Sequence, residues 1–391
     1  MQEFYAPPKI VTGDGCAGTL GQEAAAFGAK RALIVTDKIL AEKTECVKQA
    51  RASLETAGLT VEVFADVEPD PLIATAVRSA KFARPFWPEI IIGLGGGSPM
   101  DVAKATSVIL GNETPLEAMW GVRNVPRPGP PLILLPTTAG TGSEVTPNSI
   151  LTDVKPDGSH IKKGIVSPFI IARVAIVDPL LTLSAPPGVT ASTGVDALTH
   201  AVEAYVSVNA QPLTDPLARE AIRLIGQSLR RAVANGADLE ARRQMAYASL
   251  MAGLAFANGF LGAVHAIAMA MGGRHSVAHG VANALLLPYV MEFNEMGATR
   301  KFAEIAHALG EPIQGLSERE AAHRATLAVH RLVGDLGLPQ SLNDVSIDRE
   351  AIPALAEEAF GNQRLLKNNP RGATSKDIAG ILERVASGPP C

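Results

Sequence analysis

Residues 90–104 read IIIGLGGGSPMDVAK and carry the strongest fold signal in the first half of the chain. The apolar run at 90–94 predicts a strand that is buried on both faces. The three glycines after it allow a tight turn and the close approach of a ligand. We expect Ser98 to cap the following helix and Pro99 to occupy its first turn. Because free N–H groups and the helix dipole attract anions, this segment predicts a pyrophosphate site rather than a plain turn.

Similar apolar runs occur on both sides of this segment. They cover residues 32–36, 61–64, 132–135 and 174–177. Helix-like stretches at 40–57 and 73–82 lie between the first of them. Strands that alternate with helices predict a parallel sheet with crossover helices. Residues 147–165 are rich in Pro, Asp, Gly and Ser, which indicates a hairpin or an irregular excursion.

The second half of the chain has a different pattern. The breaker cluster Pro186-Pro187-Gly188 indicates a domain boundary, which we place between residues 184 and 185. Beyond it, apolar residues recur at helical spacing and no convincing strand is present. A chain of 391 residues is also too long for one ordinary core. The sequence therefore predicts an α/β dinucleotide-binding domain at 1–184 and an all-helical metal-binding domain at 185–391.

Composition excludes several classes of protein. Hydrophobic residues make up 47% and charged residues 19%, which is typical of a globular protein. The net charge of −4, with no basic stripe, argues against a nucleic-acid partner. The three cysteines, Cys16, Cys46 and Cys391, are far apart, which excludes a disulfide framework and favours a reducing compartment. With no signal peptide visible at the N-terminus, we expect the cytoplasm.

One stretch, residues 251–273, carries no charge and is long enough to span a bilayer. It contains Asn258, His265 and many Gly and Ala residues, but few large aliphatic ones. This composition predicts a helix, or a pair of helices, buried inside a helical domain. We therefore expect no membrane association.

A second polar segment follows the strand predicted at 132–135. Residues 136–144, PTTAGTGSE, contain four hydroxyl side chains and two glycines. Open α/β sheets bind ligands at the carboxyl ends of their strands, so the two segments together predict one nucleotide across neighbouring strand ends. Asp37 ends the first predicted strand, where a carboxylate would bind the adenosine ribose and repel a 2′-phosphate. This favours NAD over NADP, with a solvated turn residue as the alternative for Asp37.

Four side chains in the second half have the chemistry of a metal site. Asp196 and His200 are four residues apart in a predicted helix and therefore share one face. His265 and His279 lie in residues 251–291, where Arg274 is the only charged residue. A lone buried histidine is more often a core residue, but three imidazoles and a carboxylate suit Fe²⁺ or Zn²⁺. The sequence predicts one such ion and leaves the choice between the two metals open.

Taken in order, these motifs resemble the iron-containing (group III) alcohol dehydrogenase family over nearly the whole chain. The resemblance rests on residues 95–104, 136–146, 196–205 and 265–288, and on Asn369-Pro370-Arg371. It implies a Rossmann-like domain followed by a helical domain, in the architecture of dehydroquinate synthase, with the active site in the cleft between them. It also implies a homodimer or larger homo-oligomer.

The same resemblance implies a set of ligand-binding residues. The metal would be held by Asp196, His200, His265 and His279. The residues placed around the dinucleotide are Asp37, Asp70, Gly96, Gly97, Ser98, Asp101, Thr137, Thr138, Thr141, Asn148 and Lys162.

The chain departs from the family pattern at three positions. Met269 stands where the family often has a second histidine, four residues after the first, that is credited with proton transfer. Asp70 stands where asparagine is common, and His275 where an aromatic residue is common. We hypothesise that His275 takes over part of the proton path, because one histidine is lost and another is gained.

The implied reaction is hydride transfer between NAD(H) and a small alcohol, aldehyde or ketone, with the metal as Lewis acid. We expect a neutral or modestly polar alcohol whose pocket is narrowed by Phe260, Leu261 and Met269. A hydroxy acid would follow if Arg274 faced the cleft.

Three other functions remain open on the sequence. A metal-independent reductase, similar to maleylacetate reductases, is suggested by Met269. A dehydroquinate-synthase-like lyase would need clustered Lys and Arg, and residues 251–291 offer Arg274 alone. A non-catalytic nucleotide-binding protein would have no use for all four metal ligands.

Overall fold

The computed structural model describes residues 3–155 and 160–388. The chain divides into two compact units. One is Tyr5–Ala185, and the other runs from Pro186 onward and includes Glu3 and Phe4. The division lies one residue after the boundary predicted from the breaker cluster.

Strands are found in the N-terminal unit of the described chain. They are β1 (Lys9–Thr12), β2 (Arg31–Val35), β3 (Thr60–Phe64), β4 (Ile90–Gly95), β5 (Gly121–Val122), β6 (Leu132–Pro136), β7 (Asn148–Val154), β8 (His160–Val166) and β9 (Val174–Val177). Six of them form a parallel sheet in the order β1-β9-β6-β4-β2-β3. The predicted parallel sheet is confirmed. Strand β1 was not predicted, because it is an edge strand whose residues are all at least partly exposed.

The excursion at 147–165 is a hairpin. Strands β7 and β8 pair antiparallel and form a second, three-stranded sheet with β5. Residues 156–159, part of the predicted excursion, lie outside the described part of the chain.

The helices of the N-terminal unit cover both faces of the large sheet. They are α1 (Leu20–Ala25), α2 (Lys38–Lys43), α3 (Cys46–Thr56), α4 (Ile73–Ala83) and α5 (Gly97–Gly111). All residues of β4 are buried, because Ile91 packs into one hydrophobic core while Ile90 and Ile92 pack into another on the opposite face. Each such side chain contributes about 1.5–3 kcal/mol by burial.

The single helix predicted at 40–57 is wrong, because the structure breaks it into α2 and α3. Thr44 adopts an extended conformation at the break. Its hydroxyl donates to the Leu40 carbonyl at 2.7 Å and accepts from the Cys46 N–H at 3.3 Å. These bonds compete with the helical pattern, as threonine hydroxyls commonly do.

In the C-terminal unit, the described residues form helices and no strand, as predicted. The helices are α6 (Pro187–Val206), α7 (Thr214–Ala234), α8 (Leu239–Gly259), α9 (Ala263–His275), α10 (His279–Asn294), α11 (Thr299–Ala308), α12 (Glu318–Asp335), α13 (Ile352–Gly361), α14 (Gln363–Leu366) and α15 (Ser375–Ser387). Residues 194–206 of α6 are all buried, as are most of α9 and α10. A helix segment that is buried on every side lies in the interior of its domain, so these three helices contribute to the core of the unit.

The uncharged stretch 251–273 belongs to the two helices α8 and α9, whose axes differ in direction by 101°. The prediction of a buried helix pair is confirmed. No single helix in the described ranges is long and apolar enough to cross a bilayer, although α8 and α9 taken as a bent pair meet that criterion by length and composition.

Candidate metal centre and nucleotide-binding edge

The glycine-rich turn at 95–97 and the threonine-rich segment 136–144 lie side by side at the carboxyl ends of β4 and β6. Gly95 is the register partner of Pro136, and the Thr137 N–H donates to the Gly95 carbonyl at 2.9 Å. A Cβ on Gly97 would lie 2.8 Å from Thr141 Cγ2, a separation that side chains do not tolerate. Glycine at this position therefore lets the two segments pack against each other.

The start of α5 differs from the prediction. Gly96 is the N-cap residue, no side chain caps the helix, and Ser98 lies inside the first turn. The prediction that Ser98 caps α5 is therefore wrong. Because no side chain occupies them, the first N–H groups of α5 remain available to an anion.

A buried charge lies beneath these segments. The Lys104 ammonium donates to the Ser143 carbonyl at 2.6 Å, to Ser143 Oγ at 2.8 Å and to the Asn148 carbonyl at 2.7 Å. Its burial lowers the pKa of Lys104 to about 8. Asp101 accepts from Ser143 Oγ at 2.6 Å and from the Ile150 N–H at 2.9 Å. Both Asp101 oxygens are thus used inside the protein, where they hold the second segment and β7 against α5.

Glu144 is the third ionisable group of this buried region. It is 2% exposed, and its Oε2 has no hydrogen-bond partner among the described residues. Burial raises the pKa of Glu144 from 4.5 to about 7, although the charge of Lys104 acts in the opposite direction. The carboxyl group therefore keeps its proton to higher pH than an exposed glutamate does.

Asp37 follows β2 at the same edge of the sheet. Its Oδ1 accepts from the Leu40 N–H at 2.9 Å and so caps α2. Because β2 pairs with β4 in the sheet, Asp37 lies one strand away from the glycine-rich turn. The carboxylate is half-buried, and its capping bond uses one of its two oxygens.

Asp70 and Lys162 form an ion pair. Lys162 also donates to Thr152 Oγ1 at 3.0 Å, which anchors its ammonium to β7. The backbone of Asp70 is left-handed, with φ of 52°, and its side chain is half exposed. The additional negative charge that aspartate brings at this position is therefore matched by Lys162.

In the C-terminal unit, three helices bring the four predicted metal ligands together. Helix α6 carries Asp196 and His200, α9 carries His265 and α10 carries His279. One ligand atom from each residue lies within 4.8 Å of all the others. The three histidine Nε2 atoms are 3.7, 3.9 and 3.8 Å from Asp196 Oδ1. Four donors at about 2.1 Å from one ion are roughly 3.4 Å apart in a tetrahedron, so the donor set is nearly in place for a metal.

The cluster is enclosed on most sides. The Asp196, His200 and His265 side chains are at most 5% exposed, whereas that of His279 is 38% exposed. Burial raises the pKa of Asp196. The interactions with the three histidines and the hydrogen bond from Asn283 lower it and together outweigh the effect of burial, so the net shift of the pKa is downward. A buried carboxylate with one accessible side nearby is typical of a catalytic metal site, which keeps a position open for substrate.

Glu203, which the sequence did not single out, contacts one of the four predicted ligands, His265. Its Oε2 lies 2.6 Å from His265 Nδ1, and its Oε1 accepts from the Val264 N–H at 2.7 Å. A carboxylate on Nδ1 fixes the tautomer in which Nε2 carries the free lone pair. The sequence does hold a signal, because Glu203 lies seven residues after Asp196 and therefore on the same helix face.

Asn283 was also missed. Its amide nitrogen donates to Asp196 Oδ1 at 2.6 Å and lies 3.1 Å from His279 Nε2. The signal here is its spacing, since Asn283 follows His279 by four residues on α10. Two packing features support the cluster. Phe256 stacks on His200 with ring centroids 4.3 Å apart, and a Cβ on Gly280 would lie 2.7 Å from the Ser192 carbonyl oxygen.

The Asn369-Pro370-Arg371 element has a structural role near the same helices. Asn369 and Asn294 exchange two amide hydrogen bonds of 2.7 and 2.9 Å. Arg371 donates to the Phe293 carbonyl at 2.8 Å, and its guanidinium lies over the Phe293 ring. The element therefore ties the C-terminal part of the chain to the end of α10.

Three residues singled out by the sequence lie outside the ligand cluster. His275 ends α9, ten residues after His265, which is about 15 Å along a helix axis. Met269 is half-buried, and its sulfur is 3.6 Å from the Asn362 amide nitrogen. Arg274 is exposed and forms an ion pair with Glu358. Its charge is therefore already matched within the C-terminal unit.

Comparison with known proteins agrees with this geometry. Residues 7–179 match the family model described as iron-containing alcohol dehydrogenase, and residues 190–386 match that described as Fe-containing alcohol dehydrogenase family, C-terminal. Long-chain-alcohol dehydrogenase 1 of Geobacillus thermodenitrificans (strain NG80-2) is 43% identical over 385 residues, which cover 98% of this chain and 96% of the relative.

Two solved structures are similar along the whole chain. The crystal structure of a 1,3-propanediol oxidoreductase has a TM-score of 0.95 and 41% identity, and the match covers 98% of this chain and all (100%) of the other. Sulfoacetaldehyde reductase from Bifidobacterium kashiwanohense, in complex with NAD⁺, has a TM-score of 0.87 and 32% identity, with 99% of each chain covered.

The chain combines a parallel α/β sheet with a helical unit that carries a cluster of three histidines and one aspartate. This combination is that of a metal-dependent oxidoreductase. The chain belongs to the iron-containing alcohol dehydrogenase family. It is therefore an enzyme of the alcohol dehydrogenase type, and neither the metal-independent reductase nor the lyase alternative is favoured.

Proposed function

We propose that the enzyme uses Fe²⁺ and NAD(H) to interconvert small neutral alcohols with their aldehydes or ketones. The observation that carries the proposal is the cluster of Asp196, His200, His265 and His279, with its accessible side at His279. A bound divalent ion would supply Lewis acidity toward the substrate oxygen, and NAD would accept the hydride. Zn²⁺ is the alternative metal.

The N-terminal unit supports dinucleotide binding at the ends of β2, β4 and β6. The uncapped start of α5, with Gly96, Gly97 and Ser98, suits the pyrophosphate. The hydroxyl groups of Thr137, Thr138 and Thr141 belong to the adjoining segment. We assign Asn148 and Lys162 to the same cofactor site, with Asp70 acting through its ion pair with Lys162. Asp101 accepts a hydrogen bond from Ser143 and so holds the threonine-rich segment 136–144 against α5.

Asp37 supports NAD rather than NADP. Its free carboxylate oxygen would accept hydrogen bonds from the adenosine ribose hydroxyls. A 2′-phosphate would be repelled by the same charge.

The C-terminal residues would orient the substrate and keep it desolvated. Asp196 brings the negative charge that draws a cation into an apolar surrounding. Glu203 keeps the His265 lone pair directed at the cluster, and the exposed side at His279 is where the alcohol would enter. We propose that protons leave by way of His275. In that case His275→Gln lowers turnover and shifts its pH profile, and an unchanged profile would remove this residue from the mechanism.

Two observations favour a neutral substrate. Arg274 is paired with Glu358, so it offers no unmatched cation to a substrate carboxylate. Phe260 is 49% exposed and left-handed, with φ of 65°, a conformation that bulky residues rarely adopt. We propose that this strained aromatic residue, with Leu261 and Met269, shapes an apolar substrate site. Relatives named for long-chain alcohols and for 1,3-propanediol agree with an uncharged alcohol.

Bound metal and its effect on turnover test the proposal directly. The protein is purified without chelator, its metal content is measured, and NADH formation is followed on a panel of small alcohols before and after chelation. About one iron per chain, with activity lost on chelation and restored by metal, is expected. Asp196→Ala should lose metal-dependent turnover while still binding NAD. Near wild-type turnover of a metal-free Asp196→Ala protein would refute the assigned site.

We also propose that the enzyme is cytoplasmic and a homodimer or larger homo-oligomer. Free cysteines at Cys16 and Cys46 are compatible with a reducing compartment. Sedimentation velocity of the purified protein tests the assembly.

A further inference from the structure

The loop at 65–72, which follows β3, is tied to the hairpin of β7 and β8 by contacts that converge on one pair of residues. Thr152 of β7 donates from its N–H to the Pro71 carbonyl at 2.8 Å and from its hydroxyl to the Asp70 carbonyl at 3.0 Å. Lys162, the register partner of Thr152 on β8, donates to Thr152 Oγ1 at 3.0 Å and forms the ion pair with the Asp70 carboxylate. The loop is therefore held to the hairpin both by its backbone and by a charged side chain.

The charge of Asp70 is not needed to hold the loop in place. The two bonds from Thr152 already fix the backbone at Asp70 and Pro71. The left-handed conformation of Asp70, with φ of 52°, is one that asparagine adopts as readily as aspartate does. An asparagine would therefore meet every backbone requirement of this position. What the carboxylate adds is a negative charge beside the Lys162 ammonium.

Lys162 lies where its charge can act on a bound anion. Its side chain is 13% exposed and that of Asp70 is 50% exposed, so the carboxylate is the outer member of the pair. Burial raises the pKa of Asp101, near the start of α5, and the charges of Lys104 and Lys162 act in the opposite direction. Lys162 is therefore close to the helix start at which the pyrophosphate site is proposed. An anion bound there attracts the same ammonium that Asp70 holds.

We propose that Asp70 controls how long the dinucleotide stays bound, by competing with the anionic cofactor for the Lys162 ammonium. Pairing with Asp70 cancels much of the attraction that Lys162 would exert on the cofactor, so binding is weaker and release is faster. The carboxylate acts more strongly against NADH than against NAD⁺, because NADH lacks the positive charge of the oxidised nicotinamide ring. Asp70 is thus a positioning residue that acts through Lys162. The inference rests on the dinucleotide site proposed above.

Asp70→Asn tests this role, because asparagine keeps the shape and the backbone conformation and removes the charge. NADH binding is followed by stopped-flow fluorescence, and NAD⁺ binding by displacement of NADH. The variant is expected to bind NADH about three- to tenfold more tightly, mainly through slower dissociation, with a smaller gain for NAD⁺. The gain should shrink as salt is added, because the charges are partly exposed. An NADH affinity that is unchanged or weaker would overturn the proposal.

Asp153→Asn is the matched control. Asp153 forms an ion pair of 2.6 Å with Lys163 in the same hairpin, one position along from Thr152 and Lys162 on their strands. Because successive side chains of a strand point to opposite faces, this second pair lies on the other face of the hairpin. Asp153→Asn should therefore bind NADH like the wild type. An equal gain in both variants would mean that net charge, and not the pair with Lys162, sets the affinity, and the proposal would fail.

Lys162→Met separates this inference from the assignment of the cofactor site. Weaker NADH binding by Lys162→Met, together with unchanged binding by Asp70→Asn, would refute the role of Asp70 alone. If Lys162→Met binds NADH as tightly as the wild type, Lys162 does not contact the dinucleotide. In that case the place of Lys162 in the proposed cofactor site is refuted together with the role of Asp70.

Discussion

Glu203 Oε2 lies 2.6 Å from His265 Nδ1, and both side chains are buried. The contact links α6 to α9 and sets the direction of the His265 lone pair. The same carboxylate receives the Val264 N–H, so the start of α9 and the ligand it carries are positioned by one residue. In metal sites, a carboxylate commonly accepts the second N–H of a histidine ligand and so orients its ring.

This arrangement predicts that Glu203→Gln weakens metal binding about tenfold or more, because glutamine keeps the shape but loses the charge-assisted bond to His265. Chelator competition with Zn²⁺ measures the effect. Glu220→Gln, in an exposed pair on α7, is the control and should bind metal like the wild type. Equal affinities for Glu203→Gln and wild type would show that His265 needs no such support.

Cofactor preference should depend on the charge of Asp37. We expect Asp37→Ser to raise kcat/KM with NADP relative to NAD by about tenfold, since the repulsion of a 2′-phosphate is removed while serine still caps α2. Asp37→Ala is the matched variant, because it should change preference similarly but also lose about 1 kcal/mol of stability with the cap. A preference for NAD that survives both substitutions would place the ribose elsewhere.

Packing of the glycine-rich turn at 95–97 against the threonine-rich segment 136–144 should depend on the contact between Gly97 and Thr141. Gly97→Ala places a methyl group 2.8 Å from Thr141 Cγ2 and should weaken NAD binding, measured by quenching or calorimetry, by about tenfold. Adding Thr141→Ser, which removes that methyl, should recover part of the loss. If the double variant binds no better than Gly97→Ala, the steric explanation is wrong.

Stability should depend on pH through Glu144, whose folded-state pKa is raised by burial from 4.5 to about 7. The folded protein keeps this proton to higher pH than the unfolded chain does. The resulting stabilisation is complete below pH 4.5 and is lost as pH rises toward 7, by up to roughly 3 kcal/mol. Glu144→Gln has no carboxyl group at this position and should not lose this stabilisation. The unfolding free energy of the variant minus that of the wild type should therefore rise between pH 4.5 and 7.

Urea unfolding across that range measures the difference. Glu240→Gln, at an exposed position on α8, should show no comparable trend. A constant difference between Glu144→Gln and wild type at all pH values would mean that Glu144 is ionised throughout.

The parallel sheet, the helical second half and the four residues of the predicted metal cluster could all be predicted from the sequence. The sheet and the helices follow from local information, because buried strands read as apolar runs and helices as periodic ones. Asp196 and His200 could be paired on that basis alone. His265 and His279 were joined to the other two residues by side-chain chemistry and by the family resemblance. The break between α2 and α3 could not be predicted from periodicity, because it depends on the hydrogen bonds of a single hydroxyl, that of Thr44.

The groups that hydrogen-bond to the predicted ligands became visible in the three-dimensional structure. Glu203 is 62 residues from His265, and Asn283 is 87 residues from Asp196. Their spacing from Asp196 and His279 marks a shared helix face. No periodicity connects α6 with α9 or α10, so the spacing does not show which partner on another helix each side chain faces. Their roles arise from the close packing of α6, α9 and α10, which leaves each buried polar atom a small choice of partners.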